Sequence, residues 1–348
     1  MRNMFLAGNK KTIVLHLVVL LCLTLPGLVI SSESGNSNAF GNPDYVVTME
    51  PDWLSKPVTH DIKAGEADLV ISLGQQTYPA LHRFVEDYAA RKNIKIVVQQ
   101  GTCGVSAKKL ARKEIDVAAF CCPPGNTDRL PGVEFHTIGI APIALITNLD
   151  NEVSDISSEE ARDIFGGKTI KWSEVPVEQG IKLPGKDIQP VVRLHCKKRP
   201  GHWRQLLDNE DLFSPDIREV GVIPDMIREV ADNKSAIGFE TLYMLEVYRN
   251  KGKVKVLSID GHSPADLQYL LSAQYPIYRT YSLTTWKGNE TANALSRELI
   301  TSIEQYIEIK GDQLGIIPSS ELRIAGWKFR NDELVGEPDG EEIISEHR

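Results

Sequence analysis

Cysteine and histidine are the side chains of this sequence best able to do covalent or metal chemistry. Cys22 falls in an apolar leader, whereas Cys103, Cys121, Cys122 and Cys196 follow it, with His195 directly before Cys196 and His202 shortly after. A thiolate beside an imidazole can serve as nucleophile with base, or ligate a soft metal ion. Cys103, Cys121, Cys122, His195, Cys196 and His202 are therefore a candidate set for a metal, a cofactor or a thiophilic ligand in a Cys/His-lined cleft. Spacing lends the set little support, because neither Cys-x-x-Cys nor His-x-x-x-His occurs. Catalysis would also need an orienting third group, and no Gly-x-Ser-x-Gly, His-Glu-x-x-His or nucleotide-binding glycine motif is present. The chain is not expected to be an enzyme or to carry a cofactor. Four cysteines in an exported chain read more simply as disulfides, with three complete pairings open.

Hydroxyls and guanidiniums offer a different chemistry. Thr77 closes the turn Gly74-Gln75-Gln76-Thr77 ahead of Pro79, and Thr102 stands in Gly101-Thr102-Cys103-Gly104 before a second helical pattern. A threonine at such a junction caps the helix, and the same helix end can hold an anion. Arg193 and Arg199 each present a planar fork suited to an oxyanion. Lys197, Lys198 and Arg199 equally describe a solvated basic turn. His82 and His136 look like surface or packing residues.

Alternating strands and helices must position these groups. Residues 68–73 form a buried-strand pattern, and a helix from Pro79 carries Leu81, Phe84, Val85 and Tyr88 at helical spacing. Strands follow at 94–99 and 116–120, separated by a helix with Ala107, Leu110 and Ala111. This βαβαβ order implies parallel strands whose ligands gather where strands end and helices begin. A long strand at 138–147 leads out of the first lobe, and residues 157–271 repeat the alternation with strands at 188–194, 236–239 and 254–258. Residues 275–286 return the chain, and 291–309 form a long amphipathic helix. Two crossings between lobes make a hinge.

The leader sets the compartment. Arg2, Lys10 and Lys11 precede an apolar run over 13–30, which is the pattern of a secretory signal over 1–32 and places the protein in the periplasm or outside the cell. The small-residue cleavage rule is poorly met, so an uncleaved N-terminal anchor is the alternative. Without the leader's three cations, 36 basic residues face 47 acidic ones, a net charge of about −11. Such a balance argues against nucleic acid and requires an anion site to make its own local positive potential. Residues 33–65 read as a linker, 66–142 with 278–330 as lobe I, 143–277 as lobe II, and 331–348 as an acidic tail.

Several stretches stand in the order of one family. Leu73-Gly74-Gln75-Gln76-Thr77-Tyr78-Pro79, Gly101-Thr102-Cys103-Gly104, Ile164-Phe165-Gly166-Gly167-Lys168-Thr169-Ile170-Lys171-Trp172 and Ser235-Ala236-Ile237-Gly238-Phe239 together resemble the phosphate-binding proteins of ABC phosphate importers. The resemblance implies a type II periplasmic solute-binding fold: two α/β lobes, each a mixed, mainly parallel sheet, joined by a two-strand hinge. It also implies a monomer that closes on a small oxyanion, most readily phosphate, and presents it to an ABC permease or a membrane receptor. First-lobe contacts would fall on Thr77, Tyr78, Thr102, Cys103 and Gly104, and second-lobe contacts on Arg193 or Arg199 with Gly201 and His202.

Two departures from the family pattern bear on the ligand. Cys121 stands where the family places an aspartate that accepts a hydrogen bond from protonated phosphate, and a thiol accepts poorly. The family's Ser-Gly-Thr is Pro200-Gly201-His202. The resemblance also puts the cysteines at the cleft mouth, where Cys103 can pair with Cys121 or Cys122.

Overall fold

The first apolar run becomes β1 (Leu69–Gly74), buried along its whole length because it is the middle strand of a parallel triplet. β2 (Ile96–Gly101) lies on one side and β3 (Val117–Phe120) on the other. The connections are α2 (Tyr78–Lys92), which starts with a proline in its first turn and stops at the left-handed Asn93, and α3 (Cys103–Ala111). The computed structural model describes residues 40–61, 64–176, 185–194, 206–207, 210–288 and 290–339. The proposed secretory leader and the basic stretch Lys197–Arg199 lie outside the described residues, and no described helix is long and apolar enough to cross a membrane.

The run 138–147, expected as one strand, is two. β4 (Val133–Pro142) pairs in the sheet of β1, Ile143 interrupts, and β5 (Ala144–Asn148) enters a different sheet. The break is hidden in the sequence because Ile143 is as apolar as its neighbours. β12 (Tyr278–Trp286) brings the chain back between β3 and β4, followed by α8 (Thr291–Leu314) and β13 (Ile317–Pro318). Among the described residues the first sheet has the order β13-β4-β12-β3-β1-β2. The second is β10 (Val254–Val256), β5, β9 (Ala236–Glu240), β7 (Gln189–Val192) and β8 (Arg218–Glu219).

Both sheets are mixed, and the antiparallel share exceeds the expected mainly parallel arrangement. β2-β1-β3 and β8-β7-β9 run parallel, whereas the crossing strands β4, β5 and β12 all pair antiparallel, because a chain that leaves one sheet and returns must reverse direction. One core cluster packs on β1, β3 and the outer parts of β4 and β12, and a second joins β5, β7 and β9 to Ile140, Tyr278 and Ile317 of the first sheet. In the second, α4 (Ser158–Phe165) is closed by a capping box of Ser157 and Glu160, and Gly167 supplies a left-handed φ of +78° where a side chain would meet Ser214. That turn delivers Trp172 into the core, with its indole N–H donating to the Ser235 carbonyl at 3.1 Å. α5 (Ile223–Asp232) packs on β9 at Gly238. The remaining elements are α6 (Leu242–Val247), α7 (Leu267–Leu271), α9 (Ser319–Ile324) and the pair β6 (Asp155–Ile156) with β11 (Ser258–Ile259).

The segments read as linker and tail are packed where they are described. Residues 40–61 include α1 (Pro51–Ser55), whose Trp53 indole donates to the Ala111 carbonyl at 2.6 Å and stacks under the Lys113 ammonium at 4.2 Å. His60 meets the buried Asp116 carboxylate at 2.7 Å. At the other end, β14 (Lys328–Arg330) and β15 (Glu333–Gly336) form a hairpin, Leu334 is buried, and Glu333 accepts from the buried Arg129 guanidinium at 3.0 Å. Polar composition hid these contacts, because each segment is held by one aromatic or apolar anchor and an ion pair.

Candidate functional site

Three turns at the C-terminal ends of β1, β2 and β3 carry the first half of the site. The β1–α2 turn presents Gln75, Gln76 and Thr77, and the last two are buried. Thr77 makes no side-chain cap; its hydroxyl donates back to the Gly74 carbonyl at 3.3 Å. Tyr78 stacks on His82 with ring centroids 4.5 Å apart. Thr102 does cap α3, accepting the Val105 N–H at 3.3 Å. Gly104, half-buried, follows in the first turn of that helix.

Cys103 and Cys121 meet where α3 begins and β3 ends, with their sulfurs 3.3 Å apart. This is contact between thiols and not a disulfide, so the expected bond is absent from this pair here. The Cys103 hydrogen bond pushes the Cys121 thiol up to about 12, burial adds to the rise, and Cys122 opposes it. At neutral pH Cys121 is an uncharged thiol.

The second half comes from the corresponding ends of the other sheet. Arg193 directly follows β7 and Glu240 ends β9; Arg279 points in from the crossing strand β12. All three are buried, with relative exposures of 3%, 0% and 1%. One carboxylate gathers the donors. Glu240 accepts from Arg193 at 2.6 Å, from the Gln76 amide at 2.6 Å and from the Thr241 N–H at 2.9 Å, and Arg279 lies 3.6 Å away. Arg193 also donates to the Gln75 side chain at 3.2 Å, and Arg279 reaches the Cys121 sulfur at 3.9 Å. Burial acts to lower the Arg279 pKa, but the charges of Glu240 and its neighbours outweigh it and hold the guanidinium above its ordinary value. Among the described residues, two buried guanidiniums therefore face one buried carboxylate. Counted over the described residues the cluster has two guanidiniums to one carboxylate, the direction of local potential that an acidic chain must build in order to hold an anion.

Of the residues read from the sequence, Cys103 and Cys121 are in contact, Arg193 reaches the turn that carries Thr77 through Gln75, and Thr102 and Gly104 stand at the start of α3. Tyr78 turns its ring to His82 instead. Arg199, Gly201, His202, His195 and Cys196 lie outside the described residues; Arg193 is described, and it lies with Arg279 beside Glu240. Among the described residues no three His, Cys, Asp or Glu side chains could hold a metal ion, and Cys103, Cys121 and Cys122 alone do not make such a site. Sequence reasoning missed Gln75, Gln76, Glu240 and Arg279 as site residues. Two of them carried a usable signal: Arg279 is a charge inside a buried-strand pattern, and Glu240 is an acid at the end of one.

The fold has known counterparts. A model of the PBP superfamily domain matches residues 59–302. Phosphate-binding protein PstS of Bacillus subtilis is 25% identical over 317 residues, spanning 88% of this chain and 95% of that protein. Phosphate-binding protein PstS 2 of Streptococcus agalactiae is 24% identical over a shorter 123 residues, 35% of this chain and 42% of that protein. Among solved structures, a putative phosphate ABC transporter substrate-binding protein from Clostridium perfringens with bound phosphate superimposes with a TM-score of 0.58 at 18% identity, covering 72% of this chain and 98% of that one. An ABC-type phosphate transport receptor from Vibrio cholerae gives 0.55 at 17% identity, covering 72% and 99%. Two mixed sheets with strand ends converging on a buried charged cluster, and a family match over most of the chain, place this protein in the PBP superfamily, with its two-lobed fold.

Proposed function

We propose that this chain is an exported solute-binding protein that captures a small oxyanion, phosphate first, and presents it to the permease of an ABC importer. The observation that carries the proposal is the pair of buried guanidiniums, Arg193 and Arg279, brought from different elements to one place beside the β1–α2 and β2–α3 helix starts. Guanidinium forks, threonine hydroxyls and backbone N–H groups at helix starts are the donors a dehydrated oxyanion requires. The names of the B. subtilis and C. perfringens relatives agree with that chemistry.

In this reading lobe I comprises residues 66–142 with 278–330, lobe II comprises 143–277, and the ligand is held between them. The segments 138–147 and 275–286 form the hinge. The leader directs the protein to the periplasm or beyond, where Cys103 and Cys121 are the pair we assign to disulfide formation. Binding and release, without bond-making in the ligand, is its activity.

Thermal unfolding with and without inorganic phosphate tests the proposal. A ligand that binds only the native form raises the midpoint, by an amount equivalent to about 2.7 kcal/mol at a hundredfold excess over Kd. The rise should vanish in Arg193→Met. No rise with phosphate, sulfate, arsenate or molybdate would remove the oxyanion assignment.

A further inference from the structure

The group that occupies the centre of the guanidinium cluster belongs to the protein. Glu240 is fully buried, and its carboxylate takes a charge-assisted bond from Arg193 at 2.6 Å, with Arg279 3.6 Å away. Its other oxygen takes the Gln76 amide at 2.6 Å and its neighbour's backbone N–H at 2.9 Å. An amide, guanidiniums and a backbone N–H around a planar anion are the donor set of an oxyanion site. Two contacts of the cluster also join the sheets. Gln76 on the turn after β1 reaches Glu240 at the end of β9, and Gln75 on the same turn reaches Arg193 after β7.

We infer that Glu240 is a tethered competitor: its carboxylate fills the oxyanion seat of the ligand-free protein and latches the two sheets together through Gln76. The inference rests on the oxyanion reading above and adds the regulation of that site. A monodentate surface carboxylate would leave the arginines to solvent; this one uses both oxygens and is held by its own strand. An incoming anion must displace Glu240 from Arg193 or remain beside it against like-charge repulsion. Affinity for a free oxyanion is lowered accordingly, and closure does not wait for ligand. The site becomes one that releases its cargo readily, since the internal carboxylate returns to the guanidiniums as the anion leaves.

The test is a calorimetric titration of inorganic phosphate into the wild type and Glu240→Gln, in buffer free of other oxyanions, together with solution scattering of the wild type with and without phosphate. Removing the competing charge should tighten phosphate binding by about tenfold or more. The wild type's radius of gyration should be the same in both conditions. Gln76→Leu, which keeps every charge but removes the bond between the sheets, should enlarge the ligand-free protein. A wild type that binds phosphate while Glu240→Gln binds it no tighter refutes the competitor. A wild type that compacts when phosphate is added refutes the latch, whether or not the variant folds. If neither protein binds phosphate, sulfate or arsenate, the oxyanion reading falls and the competitor with it.

Discussion

The two ends of one buried ion pair should have unequal effects on stability. Arg193 and Glu240 are bonded at 2.6 Å with relative exposures of 3% and 0%, so a simple pair would lose similar stability from either side. The charge count says otherwise. In Arg193→Met, Glu240 keeps Arg279 3.6 Å away and the cluster becomes neutral; the loss is that of a charge-assisted hydrogen bond, about 1.5–3 kcal/mol. In Glu240→Gln, two guanidiniums remain buried with no carboxylate, the situation of a broken buried pair, costing about 3–5 kcal/mol. Cys121 cannot substitute for the lost charge, because its thiol is held up to about 12. Urea unfolding in oxyanion-free buffer reads the difference as a shift in midpoint at constant slope. At roughly 2 cal/mol/K of unfolding entropy per residue, each kcal/mol corresponds to about 1.5 °C in Tm for a chain of this size, so the two variants should separate by about 2–3 °C. Phosphate should narrow the gap by stabilising Glu240→Gln. If Arg193→Met is the less stable variant, Arg279 does not share the carboxylate and the cluster carries no excess charge.

Other consequences concern the thiols and the packing. The folded Cys121 pKa lies above its ordinary 9.0, so the native state holds the proton more tightly; this contribution is intact below about pH 9 and is lost as pH rises towards 12. Stability measured over that range should fall less steeply in Cys121→Ser, and parallel curves would contradict the assigned shift. A low-molecular-weight disulfide should oxidise Cys103 and Cys121 to one internal disulfide, each thiol losing a proton and an electron while the reagent is reduced to two thiols; non-reducing peptide mapping identifies the bond, and a Cys122 crosslink instead would overturn the assignment. Both sulfurs lie on the side of the first sheet, one at the start of α3 and one just past the end of β3, so the bond would not tie the two sheets together and the oxidised protein should keep its response to phosphate. Gly238→Ala should cost about 1–3 kcal/mol, since an added Cβ would sit 2.6 Å from the Met226 sulfur and 2.9 Å from Val230 on α5. Unchanged urea unfolding of that variant would show that α5 can move aside.

The parts legible in the sequence are those whose cause is local. β1, α2, β2, α3 and β3 announce themselves because each apolar run is punctuated by glycine, proline or threonine at the turn, and the structure moves the ends of the three strands by only one or two residues. Thr102 was readable as a helix cap for the same reason. The break at Ile143 was not readable, since exchange of one sheet for another leaves no mark in an unbroken apolar run. Glu240 was the least readable of the site residues. Its burial depends on Arg193 and Gln76, 47 and 164 positions away, and no local pattern reveals a carboxylate whose partners arrive from two sheets. Trp53 and Leu334 hold segments that composition alone assigns to linker and tail.

The two places where the chain passes between sheets are fastened to each other. Ile143, the single residue between β4 and β5, donates its N–H to the Ile277 carbonyl at 3.0 Å and accepts the buried Tyr275 hydroxyl at 2.8 Å, while Tyr278 pairs with Pro142 alongside. Two independent tethers would allow one body to bend, twist and slide against the other. Tethers bonded side by side behave as a knuckle joint with one working axis. Arg279 sits one residue past that joint, on the strand that forms half of it. A guanidinium that lies 3.6 Å from the Glu240 carboxylate is thus mounted on the pivot itself, so the charges of the cluster bear on the joint directly, with no intervening element to absorb their movement.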